Sequence, residues 1–241
     1  MVVKRNDRRN SMAEQIKPGF FSKSVAADDN RILFDIQNEQ LLCKQKKIDF
    51  LFIGDSITWM WDLNLYFGPG AFFVNRGIGG DVSAIALKRF RADCLQLNPS
   101  AIVYMIGTND ILPTAPDLWW RKPGADKNRV LEQLLANIEE AMRLCAGKRL
   151  YQCSILPTDI CPPFDKAGIN QMVQEANDGI KVLCSKHGVP YVDYHSALCR
   201  EDKKTMKDGL THDGIHPNGA CYEIMANVLK QEIDFQKEME K

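Results

Sequence analysis

No stretch of the sequence approaches the roughly 18 apolar residues that a membrane-spanning helix needs, so no span is expected. Net charge is missing as well. Lys+Arg and Asp+Glu are each 31, which leaves no overall field to gather nucleic acid or anionic lipid. The eight cysteines include no Cys-x-x-C pair, so no metal site is expected. Nucleotide-binding signatures also fail. Gly77-Ile78-Gly79-Gly80 opens like a dinucleotide-binding turn, but Val82 stands where the last glycine belongs. A phosphate loop of the form G-x-x-x-x-G-K-[ST] is absent, and no cofactor is expected. Thr58 replaces the final glycine of a Gly-x-Ser-x-Gly elbow, which argues against that nucleophile turn.

The N-terminal stretch is basic (Lys4, Arg5, Arg8, Arg9) but lacks the apolar core of a signal peptide. Cys43, Cys94, Cys145, Cys184 and Cys221 fall in apolar-periodic stretches, which suits buried free thiols. Together these features predict a reduced, cytoplasmic protein. Residues 1–20 read as a solvated or loosely packed extension, and residues 21–241 as a single domain. With 241 residues and 45% hydrophobic content, the chain is long enough to bury a substantial core.

Asp29-Asn30 reads as the cap of a first helix running towards Lys47, with Leu33, Ile36 and Leu41 inward. Apolar runs at 49–53, 71–75, 101–106, 149–156 and 189–194 read as strands. Between them, Leu87, Phe90, Cys94 and Leu97 recur at helical spacing, as do Leu131, Leu134, Leu135, Ile138, Met142 and Cys145. Ile169, Met172, Ala176, Ile180 and Leu183 mark another helix, ended by Gly188. Pro217 suits the first turn of a last one, with Cys221, Ile224, Met225, Val228 and Leu229 inward. Residues 111–128 form a polar, Pro- and Trp-bearing stretch too long for an ordinary connection. Strands alternating with amphipathic helices imply a five-stranded parallel sheet between two helix layers, a three-layer α/β/α sandwich.

Chemistry concentrates at the strand ends. The first strand runs into Gly54-Asp55-Ser56, the second into Gly79-Gly80, the third into Gly107-Thr108-Asn109-Asp110. The loop before the last helix carries Asp213-Gly214-Ile215-His216. Ligand sites in open α/β sheets gather at that edge. A serine nucleophile needs a base, an orienting carboxylate and donors for the developing oxyanion, and His216 with Asp213 three residues earlier offers the first two. This set resembles the GDSL or SGNH hydrolase family of esterases and lipases, over about residues 50–229 and with its four blocks in order. Among its members the chain resembles platelet-activating-factor acetylhydrolase subunits and bacterial acylesterases.

The resemblance implies a flavodoxin-like fold, a Ser56–His216–Asp213 triad, and an oxyanion hole made by the N–H groups of Ser56 and Gly80 and the Asn109 amide. It further implies cleavage of a small-molecule carboxylic ester through an acyl-serine intermediate, with a short acyl group such as acetyl on a sugar or lipid-like alcohol. A lysophospholipase or thioesterase on the same site is the alternative among enzymes, and a non-catalytic binding protein the alternative outside them. Homo-oligomer formation is left open.

Bland readings compete at each position. Taken alone, Gly54-Asp55-Ser56 favours a plain turn, with Asp55 serving the turn's hydrogen bonds. Asn109 alone reads as a turn cap. His212 rivals His216 as base but has no Asp three positions back. His187 lies near a helix end, where a cation suits the dipole, and His195 has no visible partners. Trp59 and Trp61, just past the serine, and Trp119 and Trp120 in the long stretch serve equally as core or as walls of a substrate pocket.

Overall fold

Five apolar segments pair into one parallel sheet in the order β2-β1-β3-β4-β5. In a computed structural model, which describes residues 25–112, 126–161, 164–233 and 235, they are β1 (Phe50–Gly54), β2 (Phe73–Gly77), β3 (Ala101–Met105), β4 (Arg149–Cys153) and β5 (Tyr191–Val192). Phe50 pairs with Phe73 on one side and Ala101 on the other, so β1 is an inner strand. Side chains alternate along each strand. Leu51, Ile53, Ile102 and Tyr104 enter one buried cluster, while Phe50, Phe52, Val103 and Met105 enter the other. Each fully buried side chain of this kind contributes roughly 1.5–3 kcal/mol relative to exposure.

Helices cover both faces. On the first lie α1 (Val25–Lys44), α4 (Ser83–Asp93), α6 (Lys127–Leu144) and α7 (Lys166–His187); on the second lie α2 (Ser56–Trp59), α3 (Leu63–Phe67), α8 (Tyr194–Leu198) and α9 (Gly219–Glu232). A one-turn α5 (Thr108–Ile111) follows β3. The second face is aromatic: Trp61 stacks on Tyr222 at 5.4 Å between centroids and Phe67 on Phe235 at 4.9 Å. The three layers and the five-stranded parallel sheet match the sequence-based expectation.

Several elements depart from their predicted form. α1 starts ahead of Asp29, and its Leu33 and Ile36 are 47% and 52% exposed. Its inner face mixes apolar Phe34, Leu41 and Leu42 with buried polar side chains. Arg31 pairs with Asp93 of α4, and Asn38 accepts from Arg76 Nη2 (2.8 Å) and donates to the Ala92 carbonyl (3.2 Å). Cys43 on the same helix is exposed rather than buried. β2 lies two residues later than its apolar run suggests, because the buried Arg76 belongs to it and finds its polar partners on α1. α4 ends at Asp93, and Leu97 belongs to a separate 3-10 turn, Leu95–Leu97. β4 stops at Cys153 and only two residues of the fifth run pair. Asn218, not Pro217, starts the last helix: its side chain accepts from the Cys221 N–H. The basic arm over residues 1–20 lies outside the described residues.

Candidate active site

The sheet order reverses direction between β1 and β3, and the crevice at the carboxyl ends of two such strands is where ligands bind in open α/β sheets. Ser56 follows β1 and Asn109 follows β3 at this point. The turn after β1 is tight. A Cβ on Gly54 would stand 2.2 Å from the Met105 carbonyl oxygen and 2.3 Å from Thr58 Oγ1, so only glycine lets α2 fold back against β3. Asp55 Oδ1 accepts from the Ile57 N–H at 3.0 Å and caps α2, leaving Ser56 as its first residue.

Ser56 Oγ lies 2.9 Å from His216 Nε2, and His216 Nδ1 lies 2.6 Å from Asp213 Oδ2. The ionised carboxylate only accepts, so it holds the proton on Nδ1 and leaves Nε2 free to accept from the serine hydroxyl. Asp213 Oδ1 also accepts from the N–H groups of His216 (2.8 Å) and Ile215 (3.0 Å). Burial works to raise the Asp213 carboxyl, but these hydrogen bonds and those of the His216 ring outweigh it and hold it below its ordinary value. Gly214 has φ +88°, and a Cβ there would stand 2.6 Å from Ile160 Cα, so this loop presses directly on the segment after β4.

Gly80 is exposed with φ +78°, and Asn109 Nδ2 donates to the Asp81 carbonyl at 3.0 Å. The loops carrying Gly80 and Asn109 are therefore in direct contact. Ser56, Asp213, His216, Asn109 and Gly80 all come to the same edge of the sheet. His212 is exposed and its N–H donates to the His216 carbonyl. His187 lies 2.9 Å from Glu139 Oε1, and His195 is buried with Cys199 Sγ 3.6 Å from its Nδ1. The predicted aromatic walls divide. Trp59 is 51% exposed, and a Cβ on Gly79 would stand 3.9 Å from its Cε3, so the indole lies beside the Gly79-Gly80 turn. Trp61 is buried in the aromatic cluster. Trp119 and Trp120 lie outside the described residues.

Beneath the serine sits a buried charge network that no linear motif marks. Arg89 Nη2 donates to the Gly54 carbonyl (2.9 Å), Nη1 to the Arg76 carbonyl (2.8 Å), and Nε to Asp81 Oδ2 (2.7 Å). Tyr222 donates its hydroxyl to the Ile57 carbonyl at 2.8 Å. Among the described residues Asp55 Oδ2 is buried without a hydrogen-bond partner. Burial pushes this carboxyl up to about 7, opposed by the Ile57 N–H and reinforced by the nearby Asp81 and Asp110. Among the described residues no group of three or more His, Cys, Asp or Glu is placed to hold a metal ion, and no helix is long and apolar enough to cross a membrane.

A serine, a ring-oriented histidine and a carboxylate in this sequence of contacts perform acyl transfer on unrelated folds. Comparison with known proteins places the chain among carboxylic ester hydrolases. The model of the GDSL-like lipase/acylhydrolase family matches residues 52–224. A GDSL-like lipase from Bacteroides thetaiotaomicron superposes with a TM-score of 0.69 at 25% identity, covering 86% of this chain and 97% of that one. A Bacteroides fragilis protein described as an acylhydrolase gives a TM-score of 0.65 at 27% identity, over 84% and 93%. An acetylxylan esterase from Geobacillus stearothermophilus shares the fold at a TM-score of 0.62 and 20% identity, over 78% and 94%. No curated protein sequence matches.

Proposed function

From the premise that the chain belongs to the GDSL-like lipase/acylhydrolase family, a family of carboxylic ester hydrolases, we propose that it cleaves short acyl esters, acetyl foremost, through an acyl-serine intermediate on Ser56. The carrying observation is the contact line from Ser56 Oγ through His216 to Asp213, at 2.9 and 2.6 Å. Ser56 Oγ attacks the ester carbonyl carbon while His216 Nε2 takes the hydroxyl proton. The imidazolium that forms stays paired with Asp213. The carbonyl oxygen becomes negative and is met by the N–H groups of Ser56 and Gly80 and by the Asn109 amide. Such a donor is worth roughly 3–4 kcal/mol in other acyl-transfer enzymes. Collapse expels the alcohol, which takes the proton from His216. Water then attacks the acyl-serine with His216 as base, releasing the carboxylic acid and restoring the serine.

The short-acyl choice rests on the likeness to platelet-activating-factor acetylhydrolase subunits and small bacterial acylesterases. Trp59, beside the Gly79-Gly80 turn, walls the acyl or alcohol pocket in this reading. Hydrolysis of p-nitrophenyl acetate, butyrate, octanoate and palmitate tests both. The acetate and butyrate are expected to turn over fastest, and Trp59→Ala to shift the chain-length preference. A preference for palmitate would instead favour a lysophospholipase-like substrate. We also place the protein in a reducing compartment, the cytoplasm, because Cys94, Cys145, Cys153, Cys184, Cys199 and Cys221 are buried as free thiols.

A further inference from the structure

Gly80 and Asn109 reach the site from different strand ends, so the distance between them depends on what ties their loops together. Asn109 Nδ2 donates to the Asp81 carbonyl at 3.0 Å. One residue on, Asp110 Oδ2 accepts from the Ser83 N–H at 2.8 Å, and Asp110 Oδ1 accepts from the Ser83 hydroxyl at 2.6 Å. Ser83 Oγ in turn accepts from Asn137 Nδ2 of α6 at 2.9 Å, and Asn137 Oδ1 accepts from Gln133 Nε2 at 3.0 Å. Ser83 thus joins three elements through one hydroxyl.

Neither loop is braced by its own cap. Val82 precedes α4 and makes no side-chain cap bond, and Gly107 before the four-residue α5 makes none either. The Asp110 carboxylate supplies from α5 the acceptor that the start of α4 lacks. We propose that Ser83 and Asp110 are positioning residues that hold the Asn109 amide in register with the Gly80 N–H, which rests on the reading of those two groups as oxyanion donors. Ser83 is fully buried and Asn137 nearly so. No solvent replaces a lost partner there. Burial raises the Asp110 carboxyl to about 6, opposed by the two Ser83 hydrogen bonds, so it is ionised and accepts both at pH 8.

The requirement is geometric, since a displacement of about 1 Å of a catalytic group costs on the order of 100-fold in rate. Removing the Ser83 hydroxyl takes a partner from Asn137 Nδ2 and Asp110 Oδ1 and leaves the Ser83 N–H as the remaining tie from α4 to the Asp110 carboxylate, which loosens α5. A double-mutant cycle separates positioning from general destabilisation. Steady-state hydrolysis of p-nitrophenyl acetate at pH 8 is compared for wild type, Ser83→Ala, Asn109→Ala and the double variant, with Ser56→Ala as blank. Ser83→Ala is expected to lower kcat about 10-fold or more with KM within about 2-fold, and Asn109→Ala about 100-fold or more. The double variant is expected to fall within about 2-fold of Asn109→Ala, because once the amide is gone its placement no longer matters.

Unchanged kcat in Ser83→Ala, or losses that multiply in the double variant, would overturn the proposal while leaving the nucleophile reading intact. Absence of Ser56-dependent turnover in wild type would overturn both. Asp110→Asn carries the same cycle if Ser83→Ala does not fold, since it keeps a single carbonyl acceptor for two Ser83 donors.

Discussion

Replacing Asp55 by asparagine isolates the cost of keeping a carboxyl buried beside the nucleophile. In the folded protein its Oδ2 has no hydrogen-bond partner among the described residues, and burial lifts the group from 3.8 to about 7. The folded state therefore holds this proton more tightly than the unfolded chain. Its contribution to stability is fully present below about pH 4 and is lost as pH rises through about 7. At 1.36 kcal/mol per unit, the full loss is on the order of 4 kcal/mol, of which about 3 falls between pH 5 and pH 8.5.

An asparagine side chain at this position carries no charge, keeps the acceptor for the Ile57 N–H, and changes stability by an offset that does not depend on pH. Thermal unfolding of wild type and Asp55→Asn across that range reads the difference directly. The variant is expected to gain on wild type as pH rises, by roughly 6–9 °C in Tm for a chain of this length. A Tm difference that stayed flat would mean the Asp55 carboxyl ionises as it does in water. A difference of opposite sign would mean that a cation, not burial, governs it.

Arg89 tests the network from the other side. Arg89→Leu removes the ion-pair partner of Asp81 and one donor each to the Gly54 and Arg76 carbonyls, all of them buried. Urea unfolding is expected to show a loss of about 3–5 kcal/mol, the range for breaking a buried ion pair at one end, and a loss under about 1 kcal/mol would contradict the role given to it. The compartment reading predicts eight titratable thiols in protein isolated without reductant and denatured under non-reducing conditions. Fewer than eight would mean that disulfides form.

The sequence marks this fold where a single physical cause acts. Strands β1 and β3 are buried on both faces, so their positions need apolar residues throughout, and they stand out as Phe50-Leu51-Phe52-Ile53 and Ala101-Ile102-Val103-Tyr104-Met105. β2 and α1 are obscured because their contact is polar. Arg76 and Arg31 are buried by pairing with Asn38 and Asp93, partners distant in the chain, whereas Leu33 and Ile36 mimic an inner stripe and face solvent. Trp59 and Trp61 look alike in sequence, yet one lies at the sheet edge and the other stacks on Tyr222.

Ser56, Asp213 and His216 are legible because their spacing and surroundings point to one chemistry. Ser83 and Asp110 are not, although both are polar residues beside recognisable motifs. Their hydrogen bonds connect positions 27 residues apart, and no local pattern announces such a contact. Sheet order supplies it, by placing the ends of β2 and β3 on either side of β1.

The most direct test of the central claim is covalent labelling with a fluorophosphonate, which reacts with an activated serine hydroxyl, followed by mass mapping of the adduct. A Ser56 nucleophile predicts one adduct, on Ser56, absent from Ser56→Ala. It also predicts labelling slowed by several orders of magnitude in His216→Ala, because triad members act as a unit, and unchanged in His212→Ala. Folded wild-type protein that resists the probe, or an adduct that persists in Ser56→Ala, would contradict it.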